Sequence, residues 1–132
     1  MNSIVVETSA REEFVALTGR IEQAVWDSGV RNGLCLVFVP HTTAGVTINE
    51  NADPDVQSDF LMALGLAVPD TLPYRHGEGN APAHVKAGLM GSSVTVIIHD
   101  GRLVLGTWQG IYLCEFDGPR RRQVHIQILS QD

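Results

Sequence analysis

Lysine is almost missing from this chain: Lys86 is the only one among 132 residues. Basic residues are few overall, nine against fifteen acidic ones, for a formal net charge of −6. That is the wrong sign for a surface that must displace counterions from a nucleic-acid backbone, so nucleic acid is not an expected partner. Cysteine is scarce too. Cys35 and Cys114 lie far apart, each among apolar neighbours, which makes neither a disulfide framework nor a zinc knuckle and places both in the core. No apolar run approaches the ~18 residues of a membrane-crossing helix. The early Glu7, Arg11, Glu12 and Glu13 leave no room for the apolar segment of a secretory leader, so the expectation is a cytoplasmic protein with no membrane partner. Also missing are a Walker-type glycine loop, a nucleophile elbow and a Cys-X-X-Cys pair. The run His76–Asn80 (HGEGN) has two glycines but comes after no strand pattern, so it is not a nucleotide fingerprint. Covalent catalysis by serine or cysteine is not expected.

What remains is an ordinary globular composition, 44% hydrophobic and 18% charged, in a length that suits one domain spanning residues 1–132. Residues 1–8 alternate like a first strand. Ser9 with Glu12 reads as a capping box, and Phe14, Leu17, Ile21, Ala24 and Val25 recur at helical spacing up to Gly29. Leu34 to Val39 is a continuous apolar strand, and Val46 to Ile48 extends again after Pro40 and a His-Thr-Thr turn. Asp53-Pro54 opens a second helix, with Asp53 as cap and Pro54 at its first position, and Val56, Phe60, Leu61 and Leu64 as its buried stripe. A polar loop over 69–79 precedes a short helix capped by Asn80 and running to about Met90. Strands come next at Val94 to Ile98, Leu103 to Trp108, Ile111 to Glu115 and Gln123 to Leu129, the first two joined by a type I′ turn at Asp100-Gly101. Helices early and strands late predict an α+β fold with a mixed or mainly antiparallel sheet and about three helices.

Three groups of residues carry candidate chemistry. Of the five histidines, His76 and His84 flank the entry to the third helix, where a loop and a helix start can bring two imidazoles to one point. Each histidine alone is also explained by a hydrogen-bonded structural role. Glu50, Asp53 and Asp55 cluster at the second helix start. Asp53 and Asp55 have helix-terminal duties, while Glu50 has no evident one, and such oxygen ligands suit Mg²⁺ beside a substrate phosphate. Arg120, Arg121 and Arg122 form the one basic cluster. A guanidinium fork recognises phosphate, although a solvated arginine surface reads the same way, and strand alternation turns one or two of the three outward. Gly106-Thr107-Trp108-Gln109 places a hydroxyl, an indole and an amide where a merely buried strand would hold Val and Ile.

The spacing Ser93, Val96, Ile98, Gly101, GTWQ, Ile111 resembles the signature segment of the YjbQ-like family, described as secondary thiamine-phosphate synthase enzymes. His41-Thr42-Thr43-Ala44, Asn49-Glu50, Asp53-Pro54-Asp55, His76, Asn80, His84 and Glu115 to Arg120 (EFDGPR) resemble that family's blocks in the same order. The resemblance implies a YjbQ-like fold and the joining of a hydroxymethylpyrimidine diphosphate to a thiazole phosphate, with release of pyrophosphate. It implies His41, Glu50, His84, Trp108 and Gln109 as catalytic positions. It implies Thr42, Thr43, Asn80, Ser93, Thr107, Arg120 and Arg122 as contacts to a phosphorylated substrate. His41, His76 and His84 are candidate ligands of a divalent metal, Mg²⁺ or Zn²⁺. The resemblance also implies a homotrimer, in which GTWQ and EFDGPR of one chain lie near the histidine loops of a neighbour. The alternative is a trimeric metal- or small-ligand-binding protein with no catalysis or a different one.

Overall fold

A computed structural model describes all residues, 1–132. Eight strands and three helices run in the order β1 (Asn2–Glu7), β2 (Glu13–Ala16), α1 (Thr18–Ser28), β3 (Gly33–Phe38), β4 (Ala44–Glu50), α2 (Pro54–Ala67), α3 (Ala81–Met90), β5 (Ser93–His99), β6 (Arg102–Leu103), β7 (Gln109–Glu115) and β8 (Arg121–Ser130). The strands form two sheets, ordered β1-β8-β3-β5-β6 and β2-β7-β4, and every pairing is antiparallel. The fold is α+β. No helix is long and apolar enough to cross a membrane.

The main core lies where α1 and the inner faces of both sheets meet. Leu17, Ile21 and Val25 from α1 and its entry, Val37, Val96 and Ile126 from the larger sheet, and Val46, Ile111 and Leu113 from the smaller one all belong to it. On the other face of β7, Cys114 and Phe116 pack against Ala83 and Ala87 of α3, with Leu61 and Leu64 of α2 alongside. β7 is therefore buried on both faces from Gly110 onward. A strand covered on both sides cannot alternate between apolar and polar residues, and the apolar run Ile111 to Cys114 reflects this. Helix α2 presents its predicted stripe only half-buried and has no fully buried residue.

Three expectations are corrected. The helix does not begin near Ser9. Glu13 does reach back, accepting hydrogen bonds from Ser9 N and Oγ and from Ala10 N, so a capping geometry forms without its helix. Residues 13–16 pair instead with β7, Phe14 opposite Cys114 and Val15 opposite Leu113, and helix α1 waits until Thr18. Tertiary pairing overrides a local signal here. Of the strand Leu103 to Trp108 only Leu103 is retained, together with Arg102 in the two-residue β6. Gly106 N donates to Gln109 Oε1 at 2.7 Å and Gln109 N to Gly106 O at 3.1 Å, so GTWQ is a turn closed by its own glutamine, with Trp108 exposed. Asn80 precedes α3 as expected, but its side chain makes no capping bond. The other local signals hold. Asp53 accepts from Asp55 N at 2.9 Å ahead of Pro54, and Asp100 (φ 51°) and Gly101 (φ 79°) supply the two positive φ angles of a type I′ turn.

Candidate functional site

Alternation along β7 and β8 sets the site. On β7 the odd-numbered residues Ile111 and Leu113 face the main core, and Glu115 is next in that row. On β8 the even-numbered Val124 and Ile126 face it, and Arg122 precedes them. The apolar layer between the sheets thus ends in a carboxylate and a guanidinium. Glu115 is fully buried and the Arg122 side chain is only 3% exposed. They meet as a two-point pair. Arg122 Nε donates to Glu115 Oε1 at 2.9 Å and Nη2 donates to Oε2. Arg122 Nη2 also donates to Thr43 Oγ1 at 2.8 Å, Thr8 Oγ1 donates to Glu115 Oε1 at 2.8 Å, and Asp117 N donates to Glu115 Oε2 at 3.1 Å. Burial pushes the Glu115 carboxyl up. The bonds from Arg122, the Asp117 amide and Thr8 outweigh it, and the net shift is below the usual carboxylate range.

A guanidinium has five N–H donors. Nε and Nη2 are engaged, and Nη1 makes no hydrogen bond to the protein. Arg122 lines a cavity of about 320 Å³ together with Pro40, His41, Thr42, Thr43, Glu78, Asn80, His84 and Arg120, a wall without a single apolar side chain apart from the proline ring. Arg120 is fixed by a second carboxylate: its Nε donates to Asp117 O at 2.8 Å and its Nη2 to Asp117 Oδ2 at 3.0 Å. Asn80 Nδ2 donates to the same Oδ2 at 2.8 Å, which ties α3 to the end of β7. Asn80 Oδ1 is buried and has no partner.

His41 lies beyond the end of β3 and accepts a hydrogen bond at Nε2 from the backbone N of Gln123, 2.9 Å away. That contact requires an unprotonated Nε2, so the proton sits on Nδ1. Burial and the nearby Arg122 charge hold His41 below the usual histidine range, opposed by Glu115. His84 belongs to the first turn of α3 and meets His76 edge-on, ring centroids 5.1 Å apart. His76 Nε2 lies 3.8 Å from Glu78 Oε2. The His76–His84 pair therefore forms, but no three His, Cys, Asp or Glu side chains come together as a metal-binding group, and His41, His76 and His84 do not form one. A three-histidine zinc site does not fit these residues.

The structure divides the sequence candidates between two places. His41, Thr42, Thr43, Asn80, His84, Arg120 and Arg122 surround the cavity, and His76 touches His84 at its edge. Glu50, Thr107, Trp108 and Gln109 do not reach it. Ala44 pairs with Glu115 at one end of the β4–β7 ladder and Glu50 pairs with Gln109 at the other. Seven residues of strand separate the ends by roughly 20 Å. There Glu50 Oε2 accepts from Ala52 N at 3.0 Å, an ordinary turn-stabilising bond. Ser93 is exposed at the start of β5, opposite Phe38, and does not line the cavity. EFDGPR already lies beside the histidines of its own chain, where Asp117, Arg120, Asn80, His41 and His84 meet.

Sequence reasoning named Glu115 and Asp117 within the EFDGPR block without giving them a role in the site, and it left Thr8 out. Glu115 had a signal: a carboxylate between Cys114 and Phe116 in a buried apolar strand demands a buried cation. Thr8 had none, since its partner is 107 positions away. Larger hollows exist, such as the 390 Å³ cleft between α1 and β6 lined by Trp26 and Arg102, but that cleft holds no histidine and no buried charge.

Comparison with known proteins places this arrangement. The chain is 45% identical to UPF0047 protein YugU of Bacillus subtilis over 98% of its own length and 99% of that protein. It is 49% identical to UPF0047 protein MJ1081 of Methanocaldococcus jannaschii over 95% and 91% of the two chains. The crystal structure of an uncharacterized conserved protein of the yjbq/upf0047 family from Clostridium acetobutylicum superposes with a TM-score of 0.96 at 52% identity, covering 98% of this chain and all of that one. A protein from Sulfolobus solfataricus, described as YbjQ-like and of unknown function, superposes at 0.94 with 36% identity, covering 98% and 96%. The family model for UPF0047 protein YjbQ-like matches residues 2–131, and the chain belongs to that family.

Proposed function

We propose that the cavity binds a phosphorylated small molecule and that the protein is a thiamine-phosphate synthase-like enzyme. Such an enzyme joins a hydroxymethylpyrimidine diphosphate to a thiazole phosphate and releases pyrophosphate. The observation that carries the reading is Arg122: a buried guanidinium locked in place by Glu115 and Thr43, with Nη1 left for a ligand in an all-polar cavity. Held this rigidly, its donors need no reorganisation as charge develops on a departing phosphate, which is where electrostatic catalysis gains most. Arg120 and the Nδ1–H of His41 add donors, and His84 is the candidate for proton transfer. A bound Mg²⁺ would share the charge of a diphosphate.

A pyrimidine needs an apolar wall that this cavity lacks within one chain. Trp108 is exposed at the far end of β7, so on this reading it serves a neighbouring subunit of a homotrimer. An uncovered apolar row on the outer face of the larger sheet, Leu34, Leu36, Phe38, Ile97 and Leu129, supports self-association. Pyrophosphate release from the two substrates, with and without Mg²⁺, tests the activity. Release that needs both substrates and disappears in Arg122→Lys supports it, and calorimetry showing no binding of phosphate or diphosphate overturns it.

A second reading, a trimeric protein holding a divalent cation without this catalysis, is favoured by the edge-on His76–His84 contact. Two imidazoles would need further ligands from solvent, substrate or a neighbouring chain. Metal analysis of purified protein and of His84→Ala decides it.

A further inference from the structure

The charges around the cavity nearly cancel. Arg122 is paired with Glu115 and Arg120 with Asp117, His41 accepts from a backbone N–H in a neutral tautomer, and the exposed Glu78 carboxylate, 3.8 Å from His76 Nε2, adds no positive charge. The site therefore selects by direction of hydrogen bonding more than by net charge. The donors are Arg122 Nη1 and His41 Nδ1–H. Beside the exposed Glu78 carboxylate, the wall residue Asn80 holds the one buried acceptor without a partner, Oδ1. Its orientation is fixed, because Nδ2 of the same amide is bound to Asp117 Oδ2 at 2.8 Å and a flipped amide would set oxygen against oxygen. A buried acceptor left unmatched is unfavourable, and a ligand that brings a donor relieves it.

We infer that the site recognises a phosphoryl group that still carries a P–OH, its oxygens taken by Arg122 and His41 and its hydroxyl given to Asn80. This deepens the phosphate-binding reading and rests on it. Sulfate has the same tetrahedral shape but no proton to give, so it leaves Asn80 Oδ1 unmatched. An unesterified phosphate, or a monoester in its monoanionic form, satisfies both halves of the pattern. A fully ionised monoester satisfies only the first.

Calorimetric titration of the full chain with inorganic phosphate and with sulfate, at about pH 7.5 and matched ionic strength, separates the two. Both ions are then largely dianionic, and phosphate alone keeps a hydroxyl. One net hydrogen bond predicts phosphate binding roughly tenfold tighter than sulfate. Asn80→Ala is expected to bring the two within about twofold of one another, mainly by weakening phosphate. Loss of the Asp117 contact in that variant acts on both ions alike, so the ratio isolates the acceptor. Equal binding of the two ions by the unmodified protein overturns the inference and leaves the phosphate-binding reading standing. Binding of neither overturns both. A preference for phosphate that survives in Asn80→Ala also overturns it, since another group would then be reading the proton.

Discussion

The β4–β7 ladder has two ends with opposite characters. At the Ala44–Glu115 end, polar side chains are buried, paired and joined across distant parts of the sequence. At the Glu50–Gln109 end, polar side chains are satisfied by their own turns, as in Gly106 N to Gln109 Oε1 and Ala52 N to Glu50 Oε2. Residue type alone does not separate them, because both ends carry a glutamate at the limit of a strand. The contrast shows that a polar residue marks a site when the fold has removed its local partners and put a fixed, half-engaged group in their place.

The sharpest way to break that contrast is to remove the buried cation. Arg122→Leu leaves Glu115 uncompensated and is expected to destabilise the protein by about 3–5 kcal/mol. Gln109→Ala at the other end should cost within about 1 kcal/mol. Paired denaturant titrations measure both. Gly118→Ala comes next, because a Cβ there would strike the Ala10 carbonyl oxygen and lie 2.8 Å from Glu115 Cγ. Overpacking of this kind costs about 1–3 kcal/mol, and the same titrations apply.

Acid sharpens the contrast in another way. The folded Glu115 carboxyl titrates below its unfolded value, so its contribution to stability is complete above the ordinary glutamate pKa of about 4.3 and is lost as pH falls further, through the folded value. His41 is also lowered, and its contribution is complete above about pH 6.5 and is lost as pH falls below it. Stability measured from neutral pH downward should therefore decline in two stages. Glu115→Gln is expected to flatten the acid stage. A smaller effect concerns ligand alone. Arg120→Lys should weaken phosphate binding more than Arg121→Lys, because Arg120 lines the cavity while Arg121 is exposed and 3.8 Å from Glu7.

The parts of this fold that were legible in the sequence are those whose physics is local. Asp100-Gly101 needed only its two positive φ angles, and Asp53-Pro54 only a cap and a missing N–H. The alternation that turns Arg122 inward and Arg121 outward was visible, but which of them goes in depends on β8 lying between β1 and β3. The Ser9 capping signal produced a true local contact, with Glu13, and a false consequence, because pairing with β7 makes residues 13–16 a strand. The candidate site was readable as a set of residues, and its division into two ends roughly 20 Å apart was not. Nothing in the sequence reports that Glu50 and Glu115 cap opposite ends of one ladder.

The lone lysine has a consequence for regulation. Lys86 is on α3, its side chain 6% exposed and its ammonium 2.8 Å from Glu12. Every other cationic side chain outside the histidines is an arginine, which does not deprotonate in proteins. Acylation, which retunes many proteins by erasing lysine charge, finds only an amine enclosed by the fold. The positive charge of the side chains on this surface is thus fixed in sequence, beyond the reach of lysine acetylation and, histidines aside, of any ordinary change in pH.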